Sequence, residues 1–456
     1  MMRPHLRLVC AFVLLSLAAC AGPAADAPPP TATAVPGALV VYAAQTVGPI
    51  PPTVYGTNYG PWITVPAGVL EAYQRSGLRL LRFPGGAYGD EHNIRPSQFD
   101  MLMQLAGMVD ADVAVSARLV GGTPEQAVDL MRYANEENDY NVRLWSIGNE
   151  PSLFASIYEE GAWDTAHYNR EWRRFAEAMK TADPKILLLG PDVHQFTANP
   201  AQNPKDVNGR DWMIEFLKAN GDLVDVVTIH RYPFPATMAD PNPTMAGLMA
   251  SSAEWDETIP YLRALIQEHT GRDLPIGVME INSYWSNASG GETTPDSLAS
   301  AIWWADVLGR LIRQRVDYVA HFVLQTNAGQ GGWGLLARND VRPTYYVYQL
   351  YQKFGQELLR TDFDGQSTVS LVAARRDDGV LTLIAINRGP ETAVETVQLI
   401  DFAPGAAAAV WRLDAAHNAA LVEPVVFETV TMLTLPGYSA TLYEIPAAET
   451  AVGSGK

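Results

Sequence analysis

The sequence predicts an α/β protein: a (β/α)8 TIM barrel followed by a C-terminal antiparallel β-sandwich. Three observations carry this. Between residues 53 and 354, short β-rich runs alternate with longer amphipathic stretches, the pattern of a parallel sheet with crossover helices. The runs number eight, the count at which a parallel sheet closes on itself. From residue 355 to 446 the texture changes to alternating strands separated by tight turns. A chain of 456 residues is long enough for one barrel-sized domain and a smaller one.

Read from the N-terminus, Arg3 and Arg7 precede an apolar run over residues 8–17, which is too short to span a bilayer and reads as the core of an export signal over 1–19. Leu17-Ala18-Ala19-Cys20 resembles a bacterial lipobox, in which the cysteine becomes the lipidated first residue. The expected location is therefore the cell envelope, as an exported lipoprotein that touches membrane only through Cys20. Cys10 and Cys20 are the only cysteines, so the folded body has no disulfide to rely on. Residues 20–37 continue from the anchor as an Ala/Pro/Thr tether, and 38–52 contain a strand expected to join the sandwich.

The eight barrel runs are 53–58, 78–83, 112–119, 142–147, 185–189, 224–230, 275–281 and 318–325. Each is rich in Val, Ile, Leu or aromatic residues, as a strand buried on both faces requires. Among the helices, Thr123-Pro124-Glu125-Gln126 has an N-cap threonine, proline in the first turn and glutamine at the capping-box position. Trp172, Phe175, Ala176 and Met179 form one stripe, and Ile259, Leu262, Leu265 and Ile266 another. In the sandwich the expected strands are 370–375, 380–386, 395–399, 407–413, 425–433 and 440–444, and residues 447–456 form a tail.

Acidic residues outnumber Lys and Arg by 50 to 32, a net charge of −18, so a nucleic-acid partner would be repelled by the average field. The histidines are scattered without H-E-x-x-H or another ligand spacing, and no metal is expected. Gly85-Gly86 lacks a P-loop or G-x-G-x-x-G context, no G-x-S-x-G elbow occurs, and no cofactor is implied.

In a barrel of this type the polar residues that matter stand at the C-terminal ends of the strands. Glu150 follows the fourth run in Gly148-Asn149-Glu150-Pro151, and Glu280 ends the seventh in Met279-Glu280-Ile281. A carboxylate set in such apolar strands costs several kcal/mol to desolvate unless it faces a polar site. A shared catalytic pocket would account for both.

These residues, in register with eight strands, resemble the clan A retaining glycoside hydrolases. Arg82-Phe83-Pro84-Gly85-Gly86, Thr123-Pro124-Glu125 and His230-Arg231-Tyr232 are most similar to the α-L-arabinofuranosidase family, glycoside hydrolase family 51, with the family 39 xylosidases next. That family usually has asparagine after Pro-Gly-Gly and Asp-Glu-Trp around the nucleophile, whereas this chain has Ala87 and Met279-Glu280-Ile281. The resemblance implies a carbohydrate substrate, Glu280 as nucleophile and Glu150 as acid/base with a raised pKa. It also implies Arg82 and Tyr232 beside the nucleophile, Asn149 on the sugar 2-hydroxyl, and His230 in the site. Trp285 and Trp333, after the seventh and eighth runs, are candidates for stacking on sugar faces, as are Tyr59 and Trp62 after the first. The expected activity is exo-acting hydrolysis of arabinofuranoside or xyloside linkages. The rivals are an endo-acting glucanase or xylanase of the same clan and a non-catalytic carbohydrate-binding surface lipoprotein.

Overall fold

Strand β1 (Leu39–Pro49) precedes a ring of eight short strands whose side chains must be apolar on both faces, one facing the barrel interior and the other the helical coat. They are β2 (Gly56–Asn58), β3 (Leu80–Phe83), β4 (Asp112–Ala117), β5 (Leu144–Ile147), β6 (Leu187–Val193), β7 (Val226–Arg231), β8 (Ile276–Ile281) and β9 (Tyr318–His321). All pairs are parallel, and β9 returns to β2 to close the barrel. This computed structural model describes residues 33–158, 163–234, 243–326, 330–363 and 367–448. The expected signal segment and Cys20 lie outside them. Among the described residues, no helix is long and apolar enough to cross a membrane.

The barrel interior is filled at one level by Leu80, Ala114, Leu144, Leu189, Val226 and Met279. Two residues further along the same inward face, β3, β4, β5 and β7 carry Arg82, Ser116, Ser146 and Thr228, all buried. The interior thus changes from apolar packing to a polar floor towards the C-terminal ends. Outside, Trp172, Trp255 and Trp304 are fully buried between strands and helices. The helix Pro124–Arg132 starts with the expected reciprocal cap: Gln126 N–H donates to Thr123 Oγ1 at 3.3 Å and Thr123 N–H to Gln126 Oε1 at 3.1 Å.

Two bulges interrupt the alternation where it matters. On β6, Pro191 pairs with Thr228 and Val193 with Ile229, leaving Asp192 as an extra residue with φ 56°. On β8, Val278 pairs with Ile229 and Glu280 with His230, leaving Met279 extra. A bulge lets two neighbouring side chains serve one face, so Glu280 is brought round beside His230 although Met279 already points inward.

The second module contains β10 (Glu357–Asp362), β11 (Val369–Arg375), β12 (Leu381–Asn387), β13 (Ala393–Ile400), β14 (Ala408–Leu413), β15 (Ala420–Val425), β16 (Val430–Leu435) and β17 (Ser439–Ile445). With β1 they form one nine-stranded sheet folded over a core that joins Leu39 and Val41 to Leu371, Leu383, Val397 and Tyr443. β1 lies between β10, antiparallel, and β13, parallel. The sheet is therefore mixed rather than purely antiparallel, because a strand arriving from before the barrel is not bound by a hairpin to run against its neighbour. Strand β10 was not expected, and the expected run 425–433 reaches from the last residue of β15 into β16, two strands at opposite edges of the sheet whose exposed positions weaken the alternation. Pro424 sits in β15, at a sheet edge, where a missing N–H costs no ladder bond. Buried Asp306 ties the modules together, accepting from Arg310 Nε at 2.8 Å, from Ser252 at 2.5 Å, and from Ser370 on β11.

Candidate active site

The polar floor converges on Glu280. Its Oε1 accepts from Arg82 Nη1 at 2.6 Å and from the backbone N–H of Gly86 at 2.7 Å, and its Oε2 accepts from the Tyr232 hydroxyl at 2.8 Å. Gly86 has φ +64°, a left-handed turn that aims its N–H at the carboxylate and strains any residue with a Cβ. Arg82, 1% exposed, is the hub: Nη1 also donates to Asn58 Oδ1 at 2.9 Å, and Nη2 donates to Asn149 Oδ1 at 2.8 Å and Asp192 Oδ2 at 3.2 Å. Asn58 is in turn held by Nδ2 bonds to the Met279 and Ala320 carbonyls, both at 2.9 Å. One buried cation is thus shared by two carboxylates and two amide oxygens, the arrangement that makes a buried charge tolerable.

Glu150 occupies the loop after β5 in the left-handed region, φ 48° and ψ 58°. This conformation is costly for a residue with a Cβ and is typical of functional turns. His230 Nδ1 lies 3.0 Å from Glu150 Oε1, and its Nε2 lies 3.5 Å from Asp192 Oδ1. Burial alone would push the His230 imidazole down. The carboxylates of Glu280 and Asp192 and the hydrogen bond to Glu150 outweigh it, and the pKa rises to about 9. For Glu150, burial raises the pKa, but the His230 hydrogen bond and charge, with His194 and Arg82, bring the net shift below the usual carboxylate value. This corrects the sequence-based expectation of a raised pKa on Glu150: the net shift is downward, and its cause is His230. Asp192 is likewise held well below its ordinary value, because Arg82 and His230 overcome its burial. Beneath the loop, Asp90 Oδ2 accepts the Asn149 N–H at 2.9 Å, and burial pushes its carboxyl up to about 7.

Carboxylate oxygens of Glu150 and Glu280 and a ring nitrogen of His230 lie within 4.8 Å of one another. The same three donors could bracket a cation, but the positive charge at Glu280 comes from Arg82. Six of the expected site residues, Arg82, Asn149, Glu150, His230, Tyr232 and Glu280, therefore meet in one cluster. Trp333 stands beside it: its ring meets Phe322 edge-on at 5.1 Å, and Phe322 in turn meets Tyr232 at 6.3 Å. Trp285 is 43% exposed on the loop after β8. Tyr59 is a core residue, with its hydroxyl bonded to the Ile63 carbonyl at 3.1 Å, and offers no face to a sugar. Sequence reasoning missed Asn58, Asp90 and Asp192. Asp192 had a readable signal, a carboxylate directly after Gly190-Pro191 at the end of an apolar strand.

No family profile matches the chain. It is 22% identical over 407 residues to the exo-α-(1→6)-L-arabinofuranosidase of Bifidobacterium longum, covering 71% of this chain and 74% of that protein. It is 26% identical over 280 residues to the heparanase of Bos taurus, covering 57% of this chain and 46% of that relative. Among solved structures, it matches the α-L-arabinofuranosidase of Thermotoga maritima in its arabinose complex, with a TM-score of 0.72 and 18% identity over 89% of this chain and 99% of that one. A bifunctional glucanase-xylanase from a metagenome library matches with a TM-score of 0.70 and 18% identity, over 90% of this chain and 99% of that one. The structural matches bear on the fold: a closed barrel joined to a β-sheet module. In fold and sequence the chain is similar to the class of glycoside hydrolases that makes up clan A. Within that class it is similar to the family 51 α-L-arabinofuranosidases, as its motifs imply.

Proposed function

We propose that the protein is a retaining glycosidase that hydrolyses plant-type oligo- or polysaccharides by double displacement, acting on arabinofuranoside or xyloside linkages. The observation that carries this reading is the approach of the Glu150 and Glu280 carboxylate oxygens to within 4.8 Å. Retaining pairs stand about 5–5.5 Å apart, whereas inverting pairs need roughly 6.5–9.5 Å to admit a water. Glu280, oriented by Arg82, Gly86 and Tyr232, attacks the anomeric carbon as Glu150 protonates the departing oxygen. A glycosyl ester on Glu280 results. Glu150 then takes a proton from the water that attacks the same carbon and frees the sugar. Asn149 spends its Oδ1 on Arg82, which leaves its amide N–H groups for the sugar 2-hydroxyl.

The His230–Glu150 pair supplies the proton. His230 Nδ1 donates along the 3.0 Å contact, and Glu150 delivers it onward. The pair is protonated below the His230 pKa of about 9 and loses its proton as pH rises through it. The alkaline limb of the kcat/KM profile is therefore expected near pH 9. In His230→Asn it is expected to fall towards the range of a lone buried carboxyl, and an unmoved limb would refute the shared proton.

The direct test is a screen of the mature chain on aryl arabinofuranoside, xyloside, glucoside, galactoside and glucuronide, with arabinan, xylan and β-glucan. Turnover of the first or second with retention at the anomeric carbon, read by proton NMR, is the expected result. Binding of oligosaccharides without release of reducing sugar would favour the carbohydrate-binding lipoprotein instead. The second reading, endo-acting cleavage of a glucan or xylan, is favoured by a hollow beside the site lined by Trp62, Ile63, Phe322 and Trp333. Export and lipidation at Cys20 rest on the lipobox sequence: labelled fatty acid should enter the wild-type chain and not Cys20→Ser.

A further inference from the structure

We propose that the hollow bounded by Trp62, Ile63, Phe322 and Trp333 is a second sugar subsite on the glycone side of the scissile bond, so that the preferred substrate carries at least two neutral units there. The proposal rests on the retaining-glycosidase reading and deepens it: it makes the enzyme one that cuts within a chain or releases a disaccharide, rather than one that trims single terminal sugars.

The closed strand order fixes the side. β5, which leads into Glu150, is the fourth strand of the ring, and β9 is the eighth, diametrically across it. The hollow is built by segments following β8 (Asn287), β9 (Phe322, Trp333) and β2 (Trp62, Ile63), so it is centred opposite Glu150. Because Glu150 protonates the departing oxygen, the leaving group lies on its side and the glycone extends towards the hollow. The hollow is also distinct from the place of the reacting ring. That ring must touch Glu280, Asn149 and Tyr232, and none of them lines the hollow. Phe322 is the partition, edge-on to Tyr232 on one side and to Trp333 on the other.

Its floor is made for a ring. Trp62 is 46% exposed yet held in place, lying beside Tyr88 at 5.7 Å and so close over Gly60 that a Cβ there would fall 1.8 Å from its ring carbons. Only glycine at position 60 leaves the indole where it is. Trp333 is locked too, its Nε1 donating to the Tyr284 carbonyl at 2.9 Å. An aromatic face fixed before binding loses little entropy when a sugar presents its CH groups to it. The cavity, about 220 Å³, is smaller than the roughly 300–1,000 Å³ that takes a drug-sized ligand, which suits one ring. No charged side chain lines it among the described residues, so a uronate or sulfated unit would find no cation there.

The test compares kcat/KM for 4-nitrophenyl xylobioside against xyloside, and cellobioside against glucoside. In whichever series is turned over, the bioside should be favoured by roughly tenfold or more, and Trp62→Ala should remove most of that ratio. Trp62→Phe, which keeps an aromatic face, should restore much of it, and Gly60→Ala, which displaces the indole, should lower it without touching Trp62 itself. On the matching polymer the shortest early product should be a disaccharide. Turnover of both glycosides with a ratio near one, or a ratio insensitive to Trp62→Ala and Gly60→Ala, overturns the subsite and leaves the glycosidase reading standing. Absence of turnover on every glycoside and polymer overturns that reading and the subsite with it.

Discussion

Glu280→Gln is expected to abolish turnover, lowering kcat by about 10⁴-fold or more, while the protein stays folded. The amide keeps the shape of the side chain. Its oxygen can still accept from Arg82 and the Gly86 N–H, and its nitrogen can donate to the Tyr232 oxygen. What it lacks is the charge and nucleophilicity to form the glycosyl ester. The check is steady-state turnover of the aryl glycoside found active in the screen, together with a denaturant midpoint near that of the wild type. Glu150→Ala offers a contrast. Azide can reach the emptied acid/base position and attack the glycosyl ester, so activity on substrates with good leaving groups should recover in part with an azide adduct of retained configuration. If Glu280→Gln kept a tenth of wild-type activity, Glu280 would not be the nucleophile.

Arg82→Met should cost both activity and stability. The guanidinium is the buried cation for Glu280 and Asp192 and the anchor for the side chains of Asn58 and Asn149. Removing one partner of a buried charge cluster leaves uncompensated carboxylates, at roughly 3–5 kcal/mol. The pH dependence follows from Asp192, whose pKa is lowered in the folded protein. The stability it contributes is fully present above the unfolded aspartate value of about 3.9 and is lost as pH falls through the folded one. The gap between wild type and Arg82→Met should therefore be full at neutral pH and shrink below about pH 4. Urea melts at pH 7 and pH 3.5 measure it, and a gap that does not narrow on acidification would mean that the cost is one of packing and not of charge.

The barrel was legible because its strands are apolar on both faces and spaced by amphipathic helices, a pattern local enough to read along the chain. The two glutamates were legible for a related reason: a charge at the end of an apolar strand is uncomfortable anywhere except a site. Asn58 and Asp90 were not readable. Asn58 belongs to the site because its amide bridges two strand carbonyls and Arg82, and Asp90 because it lies under the Asn149 N–H. Neither relation leaves a mark on the neighbouring sequence. The direction of β1 was hidden in the same way, since a strand that pairs across more than 350 residues has no turn to set its sense.

The deepest division concerns protons and faces. The chain order alone determined that two carboxylates, an arginine, a histidine and a tyrosine would stand at strand ends of one barrel, because side-chain type and strand period are properties of the polymer. Which way those groups point, and which of them is charged, was decided in three dimensions. Bulges at Asp192 and Met279 turn two carboxylates inward against the alternation, and the field of Glu280 and Asp192 raises the pKa of His230, which in turn lowers that of Glu150. Orientation and protonation are sums over neighbours distant in sequence, and such sums exist only once the barrel has closed.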